Sequence, residues 1–466
     1  MLAQAGAQAC RLSEGLRMQR PTLREIHITA TARVTHTRPC PQERMARQCT
    51  AFAGKGSPES KNLVLAGFVC AALIIGAVRA RADDKPPASD AASLAPATPS
   101  LMPALSGPLV ANPKPVSYEA GPLGKVYVTG VVSGFGQWQS NVVPGDYGGQ
   151  RDLSNAQVFL NKPDGPVQFF VELGAYSLPD LGVPYLRSNT ATSAFYGPFS
   201  QGYIKLAPND SFSIEAGKLP TLIGAEYTFS FENMNIQRGL LWNQENAVNR
   251  GVQVNYTKGP LALSASWNDG LYSNHWSWAW LSATWTLDKA NTLAVIGSGN
   301  TTRTNISTTA TPLFLNNEQL YNVIYTHTAG QWTLQPYLQY THVPQTPEIG
   351  AMHDASTYGA ALLMNYAFPS DAHIAGWKMA GVSLPVRFEY IASTGNVANG
   401  APNLMYGPGS KAWSITVTPT YQYNVFFARA ELAYVGTSDS QPGLVFGPNG
   451  TDKSQARALL EFGLMF

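Results

Sequence analysis

From about residue 122 to Phe466 the sequence repeats one unit: some ten residues of alternating apolar and polar side chains, then a cluster of turn residues. Alternation of period two gives a strand one apolar and one polar face. Ten residues rising about 3.3 Å each and tilted by about 40° cover about 25 Å, the height of the apolar band of an outer-membrane barrel. No stretch after residue 82 approaches the roughly 18–20 apolar residues of a transmembrane helix. A chain that crosses lipid with strands must close them, because an open edge leaves amides unpaired in hydrocarbon. The pattern predicts an all-β fold: a transmembrane, antiparallel, up-and-down barrel.

Sixteen strands are predicted, at approximately 124–137, 154–162, 166–176, 200–208, 210–218, 248–257, 260–269, 276–287, 291–299, 318–328, 331–342, 356–367, 382–393, 411–421, 424–435 and 455–466. The alternation leaves counts of 14 or 18 open. Connection lengths support it independently. Even strands are followed by quick turns such as Lys162-Pro163-Asp164-Gly165, Lys258-Gly259, Asp288-Lys289-Ala290 and Ala329-Gly330; the stretch 368–381 is the exception. Odd strands are followed mostly by long polar loops, 138–153, 177–199, 219–247, 300–317, 343–355, 394–410 and 436–454, with only 270–275 short. Short periplasmic turns alternating with long extracellular loops is the rhythm of such barrels, and an even count leaves both termini in the periplasm.

Charged residues make up 13% of the chain, about half the share usual in a soluble protein. They are unevenly placed. Residues 1–82 hold 12 of the 31 Lys+Arg and 4 of the 29 Asp+Glu, which leaves 19 and 25 for the rest. The basic pI therefore belongs largely to the N-terminal segment, and a nucleic-acid partner is not expected. Leu63 to Val78 is an apolar run preceded by Lys55 and Lys61 and followed by Ala80-Arg81-Ala82, the layout of a signal peptide cleaved after Ala82. Residues 1–44 fit no export logic, and Met45 is a plausible start. Residues 1–82 are thus read as an over-extended N-terminus plus signal peptide, 83–120 as a Pro/Ala-rich periplasmic linker, and 121–466 as the barrel. Cys10, Cys40, Cys49 and Cys70 all precede residue 83, so the expected mature chain has no disulfide or thiolate metal site. No metal or cofactor motif is found.

The polar faces of several strands carry charge. Glu172, Lys205, Arg387, Glu389, Arg429, Glu431, Arg457 and Glu461 fall opposite apolar neighbours. An ionised side chain facing lipid near the midplane costs about 2–4 kcal/mol, less for acids, so these eight are expected inside, lining a pore or pairing to stiffen its wall. The longest loop, 219–247, carries Glu226, Glu232, Arg238 and Glu245, and an inward fold that narrows the lumen is the favoured reading. Trp276, Trp278 and Trp280 share one face of a strand whose other face holds Leu281, Ala283, Trp285 and Leu287. Without a bulge the three face the lumen, where they could stack sugar rings; with a one-residue bulge near Trp280 they join a lipid-facing girdle, the preferred reading.

The stretch Gly217-Lys218-Leu219-Pro220-Thr221-Leu222-Ile223-Gly224-Ala225-Glu226, then Asn233 to Leu240 (NMNIQRGL), then Gly251-Val252-Gln253-Val254-Asn255-Tyr256 resembles the putative β-barrel porin-2, OmpL-like family of bacterial outer-membrane proteins. The resemblance implies a porin-like channel and brings no catalytic or ligand residues. About sixteen strands is the size at which a barrel keeps an aqueous channel. Passive diffusion of small hydrophilic solutes, sugars among the candidates, is the leading expectation. The alternatives are a barrel enzyme of lipase or protease type and a loop-displaying adhesin or structural anchor. His275, His327, His342, His353 and His373 show no convincing nucleophile and acid spacing, and the loops show no recognisable binding motif. The closing strand, with Ala458, Leu460, Phe462, Leu464 and Phe466 on one face, resembles the C-terminal signature read by the barrel-assembly machinery. Outer-membrane lipid is the other expected partner. A homo-oligomer would follow only by analogy with trimeric porins.

Overall fold

The computed structural model describes residues 104–466; the signal-peptide reading, the Met45 start and the four cysteines lie outside the described residues. The wall consists of β1 (Lys125–Gln139), β2 (Gly149–Lys162), β3 (Val167–Tyr176), β4 (Phe199–Asn209), β5 (Phe212–Pro220), β6 (Val248–Lys258), β7 (Leu261–Asn268) and β8 (Trp278–Thr286). It continues with β9 (Asn291–Asn300), β10 (Gln319–Ala329), β11 (Trp332–Val343), β12 (Ala355–Ala367), β13 (Val382–Ser393), β14 (Lys411–Val417 and Thr420–Tyr423), β15 (Phe426–Ser438) and β16 (Ser454–Met465). Each strand pairs antiparallel with the next, and β16 pairs back onto β1 from Val131↔Met465 to Gln139↔Arg457. The result is a closed barrel of 16 strands. β14 is broken at Pro419, which has no N–H to donate; its carbonyl still accepts from the Ala430 amide at 3.0 Å.

The turns follow the chemistry of their residues. Gly330, at φ 57°, and Asn424, at φ 50°, supply the left-handed backbone that two-residue hairpins need. The long connection 368–381 carries its own small hairpin, His373–Ile374 against Trp377–Lys378. The lead-in also pairs. Val116–Glu119 lies antiparallel to Val128–Lys125 and covers the part of β1 that extends beyond the end of β16.

Alternation sorts the faces. Leu338 on β11, 58% exposed, and Val254, Leu263, Phe388, Leu432 and Phe462 form the outer apolar band. Stacked, tilted or edge-to-face rings, Tyr321–Tyr340–Tyr358 and Trp413–Tyr434 near one rim and Trp332–Tyr366–Phe368 near the other, lie at the interfaces expected for aromatic girdles. β8 pairs with β7 and β9 without any register shift. The bulge near Trp280 is therefore absent, which corrects the girdle reading of this strand. Trp278 and Trp280 point inward at 1% exposure, whereas Trp276 precedes the strand and is 47% exposed. The two inner rings share a core with Leu271, Ile296 and Leu315, from the wall and the loops that fold over it.

Candidate functional site

The loop between β5 and β6 folds into the lumen, and residues 228–242 are buried throughout. Its residues explain the path. Gly224 takes φ 85° and hands its amide to Asn322 Oδ1 on β10 at 3.1 Å; a Cβ there would overlap the Glu245 carboxylate. Thr221 Oγ1 accepts from the Ile223 amide at 2.9 Å and bonds Asn246 Oδ1 at 3.0 Å, fastening the two ends of the loop. Asn233 folds the tip: its Oδ1 accepts from the Tyr227 amide at 2.6 Å, and its Nδ2 donates to the carbonyls of Tyr227 and Phe229 at 2.9 and 2.8 Å.

The inward charges of the wall meet this loop. Arg387 on β13 donates to Glu226 and to the Gln237 carbonyl at 2.8 Å, with Glu389 Oε2 at 3.2 Å. Arg429 on β15 pairs with Glu461 on β16, its cross-strand neighbour, and donates to the carbonyls of Ser230 and Asn233 at 3.0 and 3.2 Å. Glu431 forms no direct ion pair among the described residues. It accepts from the amides of Ile236 and Gln237, from Gln237 Nε2 at 2.8 Å and from Thr418 Oγ1 at 2.9 Å. Arg457 donates to the Asp180 carbonyl at 2.7 Å and to Gln237 Oε1 at 3.0 Å. Unpaired charge in such a place costs several kcal/mol, so ion pairs and hydrogen bonds together satisfy the wall charges and fix the loop.

Within the loop, Arg238 bonds Asp180 at 2.7 Å and the Thr228 carbonyl, and lies 4.6 Å from the Trp242 ring centre. Asp180 comes from the β3–β4 connection, which also carries the helix α1 (Ser188–Ala194). Glu245 accepts from the Tyr337 hydroxyl on β11. Glu232 turns back to accept from the Phe229 amide at 2.7 Å. Glu172 on β3 accepts from Gln157 at 2.5 Å and Ser200 at 2.8 Å. All eight charged wall positions named from the sequence face inward, but seven are covered by the loop or by neighbouring side chains. Lys205 is the exception. It is half-buried and lies 3.3 Å from Glu215.

That pair sits in a separate sector of the lumen. Asn255, Ser264, Ser282, Thr284, Thr326 and Gln335, inward residues of β6, β7, β8, β10 and β11, are half-buried and line a vestibule of hydroxyls and amides. At the extracellular rim Lys411 bonds Asp439 at 2.7 Å, and this hydrogen bond holds the Asp439 carboxyl below its ordinary range. Two partners of the loop's charged residues were not marked by the sequence. Asp180 and Tyr337 lie in a loop and a strand with no charge pattern, and only the fold brings them to Arg238 and Glu245. Among the described residues no His/Cys/Asp/Glu group has the arrangement of a metal site.

A family model described as Putative beta-barrel porin-2, OmpL-like matches residues 125–466. The chain belongs to this family. Its location is the bacterial outer membrane. Two of the three stretches that carried the resemblance, Gly217 to Glu226 and Asn233 to Leu240, scaffold the inward loop: Gly224, Glu226, Asn233 and Arg238 each make one of its fastenings. The barrel is similar to the anion-selective porin from Comamonas acidovorans, at 12% identity and a TM-score of 0.50, covering 73% of this chain and 99% of that one. It is also similar to the outer-membrane channel DcaP of Acinetobacter baumannii, at 10% identity and a TM-score of 0.48, over 73% and 97% of the two chains. The first of these likenesses shows the fold alone. Among curated proteins none matches the chain.

Proposed function

We propose that this OmpL-like barrel lets small hydrophilic solutes diffuse passively across the outer membrane, with the loop between β5 and β6 as its constriction. The observation that carries this reading is the half-buried inward surface of hydroxyls and amides on β6 to β11, which offers hydrogen bonds to water and to polar solutes. Beside that surface the charged residues Lys205 on β4 and Glu215 on β5 pair with one another. A weak ion preference follows. The sugar reading loses its specific support, because Trp278 and Trp280 are covered and present no ring face to a solute. The barrel-enzyme alternative has His342 Nδ1 at 3.0 Å from Ser356 Oγ across β11 and β12 as its best pair, with no carboxylate bonded to that imidazole among the described residues. A relay without an orienting acid is a weak basis for catalysis.

The test is reconstitution into a planar bilayer of the protein and of a variant lacking residues 227–242. The reading expects stepwise ion conductance whose step is larger in the variant. A loop-deleted barrel that still seals the bilayer would overturn it.

A further inference from the structure

The lumen has a second sector, built differently. Val131 on β1, Phe159 on β2, Phe170 on β3, Phe427 on β15 and Met465 on β16 all point inward and are buried. An apolar inner surface is out of place in a water-filled channel, and its counterparts across the barrel are the hydroxyls and amides of the vestibule. Two segments cover it. Phe229 and Phe231 of the inward loop reach it from one side, with Phe231 5.8 Å from Phe159 and Phe229 4.9 Å from Tyr176 between ring centres. From the other side comes the lead-in.

Leu109, at 2% exposure, belongs to the same cluster, and Leu105 and Ala111 pack against it. Ser106 donates to the Glu232 carbonyl of the loop from its amide at 2.8 Å and its hydroxyl at 3.2 Å. Gly107 lies so close to the Asn233 carbonyl that a Cβ would overlap it. Gln422, beside the turn between β14 and β15, holds Val110 by two hydrogen bonds, accepting its amide at 2.7 Å and donating to its carbonyl at 2.8 Å. Residues 104–115 form no helix or strand and are held by these few contacts. A wall strand cannot leave without opening the barrel. This strap can leave as a unit, because its anchors are a few hydrogen bonds and a single deeply seated side chain.

We propose that residues 104–111 are a built-in plug. Seated on the aromatic surface of β1, β2, β3, β15 and β16, they pin the tip of the constriction loop and close this sector of the lumen; their withdrawal opens it. The proposal rests on the channel reading above, and the measurements separate the two.

The experiment compares the protein with Leu109→Asp and Gly107→Val in planar bilayers. Heat-dependent mobility on gels checks that each barrel is folded. Both variants are expected to raise the single-channel step or the open fraction several-fold. A second measurement uses a chain whose Cys10, Cys40, Cys49 and Cys70 are replaced by Ser and which carries either Leu109→Cys or, as the exposed control, Val110→Cys; Val110 is 67% exposed. A maleimide-polyethylene glycol should label Cys at 109 far more slowly than at 110, and adding Gly107→Val should remove that difference. A conducting wild type whose step and open fraction are unchanged in both folded variants would overturn the plug and leave the channel standing. Equal labelling at 109 and 110 would overturn the docking itself. Silence of the wild type, both variants and the loop-deleted barrel would overturn the channel, and the plug with it.

Discussion

Arg429 shows what a single inward charge does in this barrel. Its guanidinium is fully buried, paired with Glu461 across β15 and β16, and bonded to two carbonyls of the loop. Removing the cation alone leaves a buried carboxylate with Ser230 Oγ, at 3.3 Å, as its remaining side-chain donor. Arg429→Met should therefore cost about 3–5 kcal/mol, and adding Glu461→Gln should recover most of it, since the penalty is the unpaired charge. Urea unfolding in lipid vesicles measures both. A double mutant no more stable than the single one would show that the loop carbonyls, not the ion pair, dominate. The position of Arg429 was legible from alternation, because a charge between apolar neighbours has one tolerable face. Its partners in the loop were not, since no local pattern encodes a contact between residues 199 positions apart.

At the scale of elements, the inward loop was legible as a length and a motif and illegible as a path. Gly239 illustrates the gap. It stands in the NMNIQRGL stretch, its amide donates to Glu226 Oε2 at 2.8 Å, and a Cβ would overlap the Glu389 carboxylate. Gly239→Ala should push this turn of the loop off β13, at a cost of about 1–3 kcal/mol typical of overpacking. Limited trypsin digestion in detergent reads it: the buried Arg238 of the wild type resists cleavage, and the variant should be cut after it. Equal resistance would mean the carboxylate moves aside. The tryptophans of β8 show the opposite error. Plain alternation placed Trp278 and Trp280 inside. The expected bulge came from treating tryptophan as a girdle residue, and the apolar interior supplied by Leu271 and Leu315 had no local signature. The lead-in was harder still. Composition marks it as an unstructured linker, yet Leu109 has a seat made by the first and last strands of the wall, which closure brings side by side.

For the molecule as a whole, one register decides which residues meet lipid and which meet the lumen, and closure of β16 on β1 carries that register around the wall. It was readable because lipid enforces it residue by residue: an outward polar residue has no water to fall back on. The lumen enforces much less, so its filling by loop and lead-in escaped the same reading. β11 tests this asymmetry within one strand. Leu338, 58% exposed in mid-strand, faces outward, and Gln335, half-buried, faces the vestibule. Leu338→Arg should destabilise the barrel by about 2–4 kcal/mol in vesicles, while Gln335→Arg should cost well under half as much. Gln335→Arg adds a positive charge to an uncharged inner surface whose neighbouring charges, Lys205 and Glu215, cancel, so it should also shift the reversal potential toward anions. Equal costs for the two substitutions would mean that the inner face of β11 is as dry as the outer one, and the vestibule would then not be a water path.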